Sequence, residues 1–183
     1  MKRIFLYLFA FTPLAYLLSR LFILNNVANP IKYIYTITGV SATVILFLSI
    51  IISLIKNKIN LLKYRKEVGL LGFFYALLHL LTFIVLDAQF DLEFVIKETL
   101  DKPFIYLGMI AFFILLFMGL TSTKKLFKKY NKYHKLVYVS LILITIHWIM
   151  AQKSINISQF IYIFIIIVIG YFKLLQMIIK KAS

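Results

Sequence analysis

"KYRKEVGLLGFFYALLHLLTFIVLD", Lys63–Asp87, is the stretch that decides the fold. It opens on Lys63, Arg65 and Lys66, runs apolar from Val68 to Leu86, and closes on Asp87. A helix rises about 1.5 Å per residue, so an apolar run of about 20 residues crosses a hydrocarbon core of roughly 30 Å. A basic edge followed by such a run reads as a membrane span. His79 lies deep within it. An ionisable side chain at that depth is costly unless something pairs with it, and such residues usually carry function.

The rest of the chain repeats this pattern. Its 183 residues are 63% hydrophobic, with a mean hydropathy of +0.97, well outside the composition of soluble domains. Six apolar stretches are long enough to span: Ile4–Leu24, Ile37–Ile55, Val68–Leu86, Pro103–Thr123, His134–Ala151 and Ile155–Phe172. The runs are continuous, without the alternation of barrel strands. The expectation is a single-domain, all-α integral membrane protein, a six-transmembrane-helix bundle. The N-terminal run has no small-residue cleavage pattern, so it reads as a retained first helix rather than a signal peptide.

Charge sets the orientation. The net charge is +15, but the apolar fraction argues against nucleic acid as a partner. With the N-terminus inside, the inner segments hold 16 of the 21 basic residues; Arg20, Lys32, Lys97, Lys102 and Lys153 lie outside. Five of the six acidic residues, Asp87, Asp91, Glu93, Glu98 and Asp101, fall in one outer segment. This asymmetry predicts both termini in the cytoplasm. The basic runs also suit anionic membrane lipid, and the functional alternative is an electropositive inner rim that binds a phosphate, a propionate or an acidic donor protein. The acidic outer segment reads as a solvated loop.

The chain has no cysteine, which removes disulfides, iron–sulfur clusters and thiolate zinc sites. No glycine-rich nucleotide fingerprint and no hydrolytic triad can be assembled. What remains is histidine. His147 in the fifth stretch and His79 in the third run from the same side and differ in depth by only about 3 Å. Two imidazoles at one level on neighbouring helices suit axial ligation of heme iron; hydrogen bonding within the bundle is the plain alternative. His134 lies thirteen residues before His147. On a straight α-helix the two would point about 140° apart. His134 is therefore either the ligand of a second heme or an interfacial histidine beside Lys132 and Lys135. Arg65 and Lys66 are cations suited to a propionate or flavin phosphate. Gly72, two turns before His79, leaves room for a ring edge, and Gly108 and Gly119 share a face of the fourth helix; close helix packing accounts for such glycines equally well.

Three segments carry a resemblance: "KYRKEVGLLGFFYALLHLLTFIVLD", "DKPFIYLGMIAFFILLFMGLTS" and "YHKLVYVSLILITIHWIM". Together with "ANPIKYIYTITGV" they resemble the ferric-reductase-like transmembrane family and, within it, the MsrQ (YedZ) family, over about Ala28–Ala151. The resemblance implies a multi-pass b-type cytochrome of the bacterial inner membrane, with His79, His134 and His147 as heme histidines and FMN as a further cofactor. It implies electron transfer from the quinone pool or a cytoplasmic flavin reductase to the periplasmic molybdopterin reductase MsrP, which repairs oxidised methionines. The chain would then be a subunit of an oxidoreductase rather than a complete enzyme, with no catalytic residue of its own. The family's paired arginines stand here as Arg65 and Lys66. A stand-alone ferric or quinone-linked heme reductase, and a non-redox transporter or scaffold, are the alternatives.

Overall fold

The computed structural model describes residues 2–56, 59, 61–152 and 157–182, and all regular structure among them is helical. The eight α-helices are α1 Lys2–Leu18, α2 Pro30–Leu54, α3 Arg65–Leu81, α4 Leu92–Asp101, α5 Pro103–Leu120, α6 Lys124–Tyr130, α7 Val137–Met150 and α8 Ile157–Ala182. Counting the turns that extend them, five helical stretches among the described residues are long and apolar enough to cross a membrane: Arg3–Ile23, Pro30–Leu54, Leu62–Asp87, Pro103–Leu120 and Lys124–Met150. In α8 the described apolar stretch is shorter, Ile163–Lys173. The expected sixth span, Ile155–Phe172, begins on residues outside those described.

Several boundaries differ from the sequence reading, each for a local reason. The second span begins at Pro30 rather than Ile37. Asn29 is its N-cap, its side chain accepting from the Lys32 N–H at 3.0 Å, and Pro30 fills the first helical position, where a missing N–H costs nothing. The acidic segment expected as an outer loop contains a helix, α4. Asp91 caps α4 by accepting from the Phe94 N–H at 3.0 Å, and Lys102 pairs with Glu98 across one turn. His134 does not lie on α7. It sits in a 3-10 turn, Asn131–Leu136, that precedes it. That turn winds at about 120° per residue, so the straight-helix angle between His134 and His147 does not apply.

Four helices form a ring in which α2 touches α3, α3 touches α5, α5 touches α7, and α7 returns to α2. This places α3 and α7 at opposite corners. Helices α1 and α8 pack outside, each against α2. The helix α2 is accordingly the most enclosed, and its buried face carries small and hydroxylated residues: Thr38, Ser41, Ala42, Ser49 and Ser53. Short side chains let backbones approach, and Thr38 and Ser49 return their hydroxyl protons to their own helix at Ile34 O and Leu46 O. Tyr75, fully buried, donates to Ala10 O at 2.6 Å and ties α3 to α1. Ser140 donates to Ala111 O at 3.3 Å and ties α7 to α5.

The ends of the bundle are pinned by charge. Arg3 meets Glu67 at 3.3 Å where α1 and α3 begin, and Tyr35 donates to Asp87 at 3.2 Å where α2 begins and α3 ends. Outward, the surface is apolar: Phe9 is 76% exposed, Phe22 74% and Phe164 67%. A soluble monomer does not present such a continuous apolar surface, and here it faces lipid.

Gly72 faces α2 rather than a ligand: an added Cβ would lie 2.7 Å from Leu46 Cγ and 3.2 Å from its backbone nitrogen. Gly69 has nothing within 4 Å. Gly72→Ala should therefore cost about 1–3 kcal/mol through overpacking, whereas Gly69→Ala should be neutral or stabilising by up to about 1 kcal/mol. Unfolding of the two variants in mixed micelles checks this; equal effects would contradict the packing.

Candidate functional site

The site is built where α3 and α7 face each other across the ring. His79 on α3 and His147 on α7 bring their rings to a centroid separation of 6.1 Å, with planes at 89°. The two histidines expected at one depth are thus brought together, each partly buried. His134 is not part of this pair. It lies at the end of the bundle where α7 begins, 3.0 Å from the Thr121 hydroxyl by its Nε2 and edge-on to Phe127 at 4.7 Å. Arg65 and Lys66 stand at the first turn of α3, fourteen and thirteen residues before His79, and so also belong to the end away from the pair.

Each ring of the pair is held by a helix that is not its own. The Nδ1 of His79 lies 3.2 Å from Tyr35 O on α2, and that of His147 lies 2.5 Å from Phe104 O on α5. A backbone carbonyl only accepts, so both Nδ1 atoms must carry the proton. Both Nε2 atoms are then left with a lone pair, the form in which imidazole binds a metal. Thr38 adds to the first contact, its Oγ1 lying 3.3 Å from His79 Nδ1 while its own proton goes to Ile34 O.

The two anchors share one device. Four residues beyond Tyr35 is Gly39, and four beyond Phe104 is Gly108. A Cβ on Gly39 would lie 3.0 Å from His79 Cε1, and one on Gly108 would lie 2.8 Å from His147 Nδ1. In a helix the carbonyl of residue i already accepts the N–H of residue i+4. Removing the side chain at i+4 opens that carbonyl's flank to an imidazole from the neighbouring helix. The room for a ring that the sequence reading gave to Gly72 is found instead at Gly108 and Gly39. Gly119 instead faces Phe73, 3.3 Å from an added Cβ, and is a packing residue.

Tyr35, Thr38 and Gly39 were not legible as site residues. Starting the second helix at Ile37 put Tyr35 in a loop, although Asn29–Pro30 is a readable helix start. Their contact with His79 joins two helices, and no spacing within one segment encodes it. Tyr35 contributes further: its ring lies edge-on to His79 at 5.3 Å, and its hydroxyl donates to Asp87. Among the described residues, no group of three or more His, Cys, Asp or Glu side chains comes together. The pair therefore suits a group that takes two protein ligands and supplies the rest of its coordination itself.

Comparison with known proteins agrees with this architecture. Residues 56–145 match the family model described as "Ferric reductase like transmembrane component". The chain is 36% identical over 133 residues to the protein-methionine-sulfoxide reductase heme-binding subunit MsrQ of Brucella ovis, an alignment covering 69% of this chain and 60% of that protein. It is 33% identical over 150 residues to the protein of the same name from Agrobacterium fabrum, covering 78% and 70%. The chain thus spans about three fifths of the length of the Brucella relative. No solved structure matches it.

The tautomers are directly measurable. Nitrogen-15 spectra of histidine-labelled protein in lipid, without bound cofactor, should show Nδ1 protonated and Nε2 bare for both His79 and His147, with assignments made by single-histidine variants. A protonated Nε2 on either residue would contradict the carbonyl anchors.

Proposed function

The chain belongs to the MsrQ family of ferric-reductase-like membrane proteins, and from that membership we propose that it is a heme-binding subunit that carries electrons across a membrane. The observation that carries this reading is the facing pair His79 and His147. Imidazole nitrogen binds a metal at about 2 Å, so two rings on one iron keep their centroids about 6 Å apart; the pair stands at 6.1 Å. Both Nε2 atoms are free to ligate, and Gly39 and Gly108 make the cradle in which the rings lie. These residues fit heme. With no cysteine for covalent attachment, the group would be b-type.

Heme, when bound, supplies a one-electron redox centre. The residues of this chain do the holding. His79 and His147 would hold the group through their unprotonated Nε2 atoms; Tyr35 O and Phe104 O keep the imidazole protons on Nδ1. Thr38 is 1% exposed, and the apolar ring around the site keeps water away. Redox potential depends on axial ligand, hydrogen bonding to it and burial, all three of which are set by these contacts.

In this reading the chain is an inner-membrane protein with six spans and both termini in the cytoplasm. The pair lies toward the outer end, beside Asp87 and α4, where electrons leave for a periplasmic molybdopterin reductase, MsrP. The donor is the quinone pool or a cytoplasmic flavin reductase, and Arg65 and Lys66 are the cations at the inner end for a propionate or the phosphate of FMN. His134, already engaged with Thr121, serves at that inner edge and is not needed for the first heme.

Heme quantified per chain should be close to one. His79→Ala and His147→Ala should each lose it, and His134→Ala should keep it. Gly108→Ala should lower heme content or shift the Soret band while the helix content is unchanged. Full heme in both the His79 and His147 variants would overturn the ligand assignment.

A further inference from the structure

Two of the basic residues placed on the outer side against the topology rule, Arg20 and Lys32, border the same cavity. It measures about 280 Å³ and lies between the end of α1 and the first turn of α2. Asn26, Asn29, Tyr33 and Thr36 are among its other lining residues, and among the described residues no carboxylate lines it. Arg20 sits in a π-turn, Ser19–Ile23, that extends α1. Its Nε is buried and has no hydrogen-bond partner, and its guanidinium carbon stands 6.0 Å from the Tyr16 ring centroid. Neither Arg20 nor Lys32 forms an ion pair among the described residues, so the two charges bordering the cavity are left for an anion. The positive end of the α2 dipole adds to the same field.

The position of the cavity names the source of the anion. Arg3–Ile23 ends and Pro30–Leu54 begins at its rim, so it lies at the level where a membrane passes from hydrocarbon to headgroups. Beside it Phe22, Ile23 and Leu24 are 74%, 77% and 56% exposed, an apolar surface suited to acyl chains. The geometry points to a phosphate-binding site in this cavity, occupied by the headgroup of an anionic phospholipid from the leaflet on that side. Arg20 donates to the phosphate oxygens, Lys32 adds the second positive charge, and the asparagine and tyrosine side chains offer polar partners for the remainder of the headgroup. Two cations without a carboxylate favour a net negative headgroup over a zwitterionic one. The inference does not depend on heme.

The test uses the full chain in detergent, titrated with dioctanoyl-phosphatidylglycerol, dioctanoyl-phosphatidylcholine or inorganic phosphate, and read by native mass spectrometry and by thermal stability. Phosphatidylglycerol should saturate at one per chain and bind about tenfold tighter than phosphatidylcholine. Arg20→Gln should weaken it about tenfold, the loss of one charge-assisted contact. Lys32→Gln should weaken it less. Arg20→Lys, which keeps the charge but loses the guanidinium fork, should recover only part of the binding, and Lys97→Gln on α4 should change nothing. Variants are compared only where their unfolding temperature without lipid matches the parent's, with Lys32→Gln as the milder probe should Arg20→Gln fail to fold. Unchanged phosphatidylglycerol binding in both Arg20→Gln and Lys32→Gln would overturn the site. Inorganic phosphate binding as tightly as phosphatidylglycerol would overturn the lipid as its occupant.

Discussion

A helical carbonyl that must accept two protons is the constraint on which the centre of this protein depends. Tyr35 O and Phe104 O each serve their own helix and also an imidazole from the helix beside it. That is possible only where the side chain four residues on is missing, and both positions are glycine. From this follow the histidine tautomers, the direction of the free nitrogens, and the closeness of α2 to α3 and of α5 to α7. The bundle meets the same requirement twice, on opposite sides, with one ring from α3 and one from α7.

Lipid is the reason these contacts matter so much. With no water in the hydrocarbon core, a buried polar atom must find its partner within the protein. The bundle answers with short polar contacts: the hydroxyls of Thr38 and Ser49 return to their own helix, Tyr75 reaches Ala10 O, and Ser140 reaches Ala111 O. Charge is kept to the two ends, with Arg3 and Glu67 at one and Asp87 at the other. A group held between His79 and His147 would thus sit inside the four-helix ring, with the Nδ1 atoms of both histidines already engaged. The two π-turns, Ser19–Ile23 and Thr82–Asp87, both lie at the end of the bundle nearer this pair. Wider turns of this kind re-aim side chains and often mark functional regions.

Much of this was readable residue by residue. The span Val68–Leu86 and its basic edge place α3. The matched depths of His79 and His147 anticipate the pair, whereas room for a ring was expected at Gly72, which packs on Leu46 instead. Other positions were not readable. Gly72 and Gly108 look alike in sequence, yet one abuts Leu46 and the other His147. Nothing within α3 or α5 says which helix will face each glycine. His134 shares a segment with His147, but the 3-10 turn at Asn131–Leu136 breaks the arithmetic that related them.

By itself the sequence determined that this chain is a helical membrane protein, where five of its spans lie, and that two histidines reach one level. Those properties depend on hydrophobicity, charge and residue count along a single segment, and the bilayer acts on each segment almost independently. Only the tertiary structure decided that α3 and α7 stand across a ring, that Tyr35 and Phe104 supply the anchoring carbonyls, and that Gly39 abuts His79. Those properties depend on which helix faces which. In lipid that choice is made by close packing and hydrogen bonds between helices, not by the apolar character that all of them share.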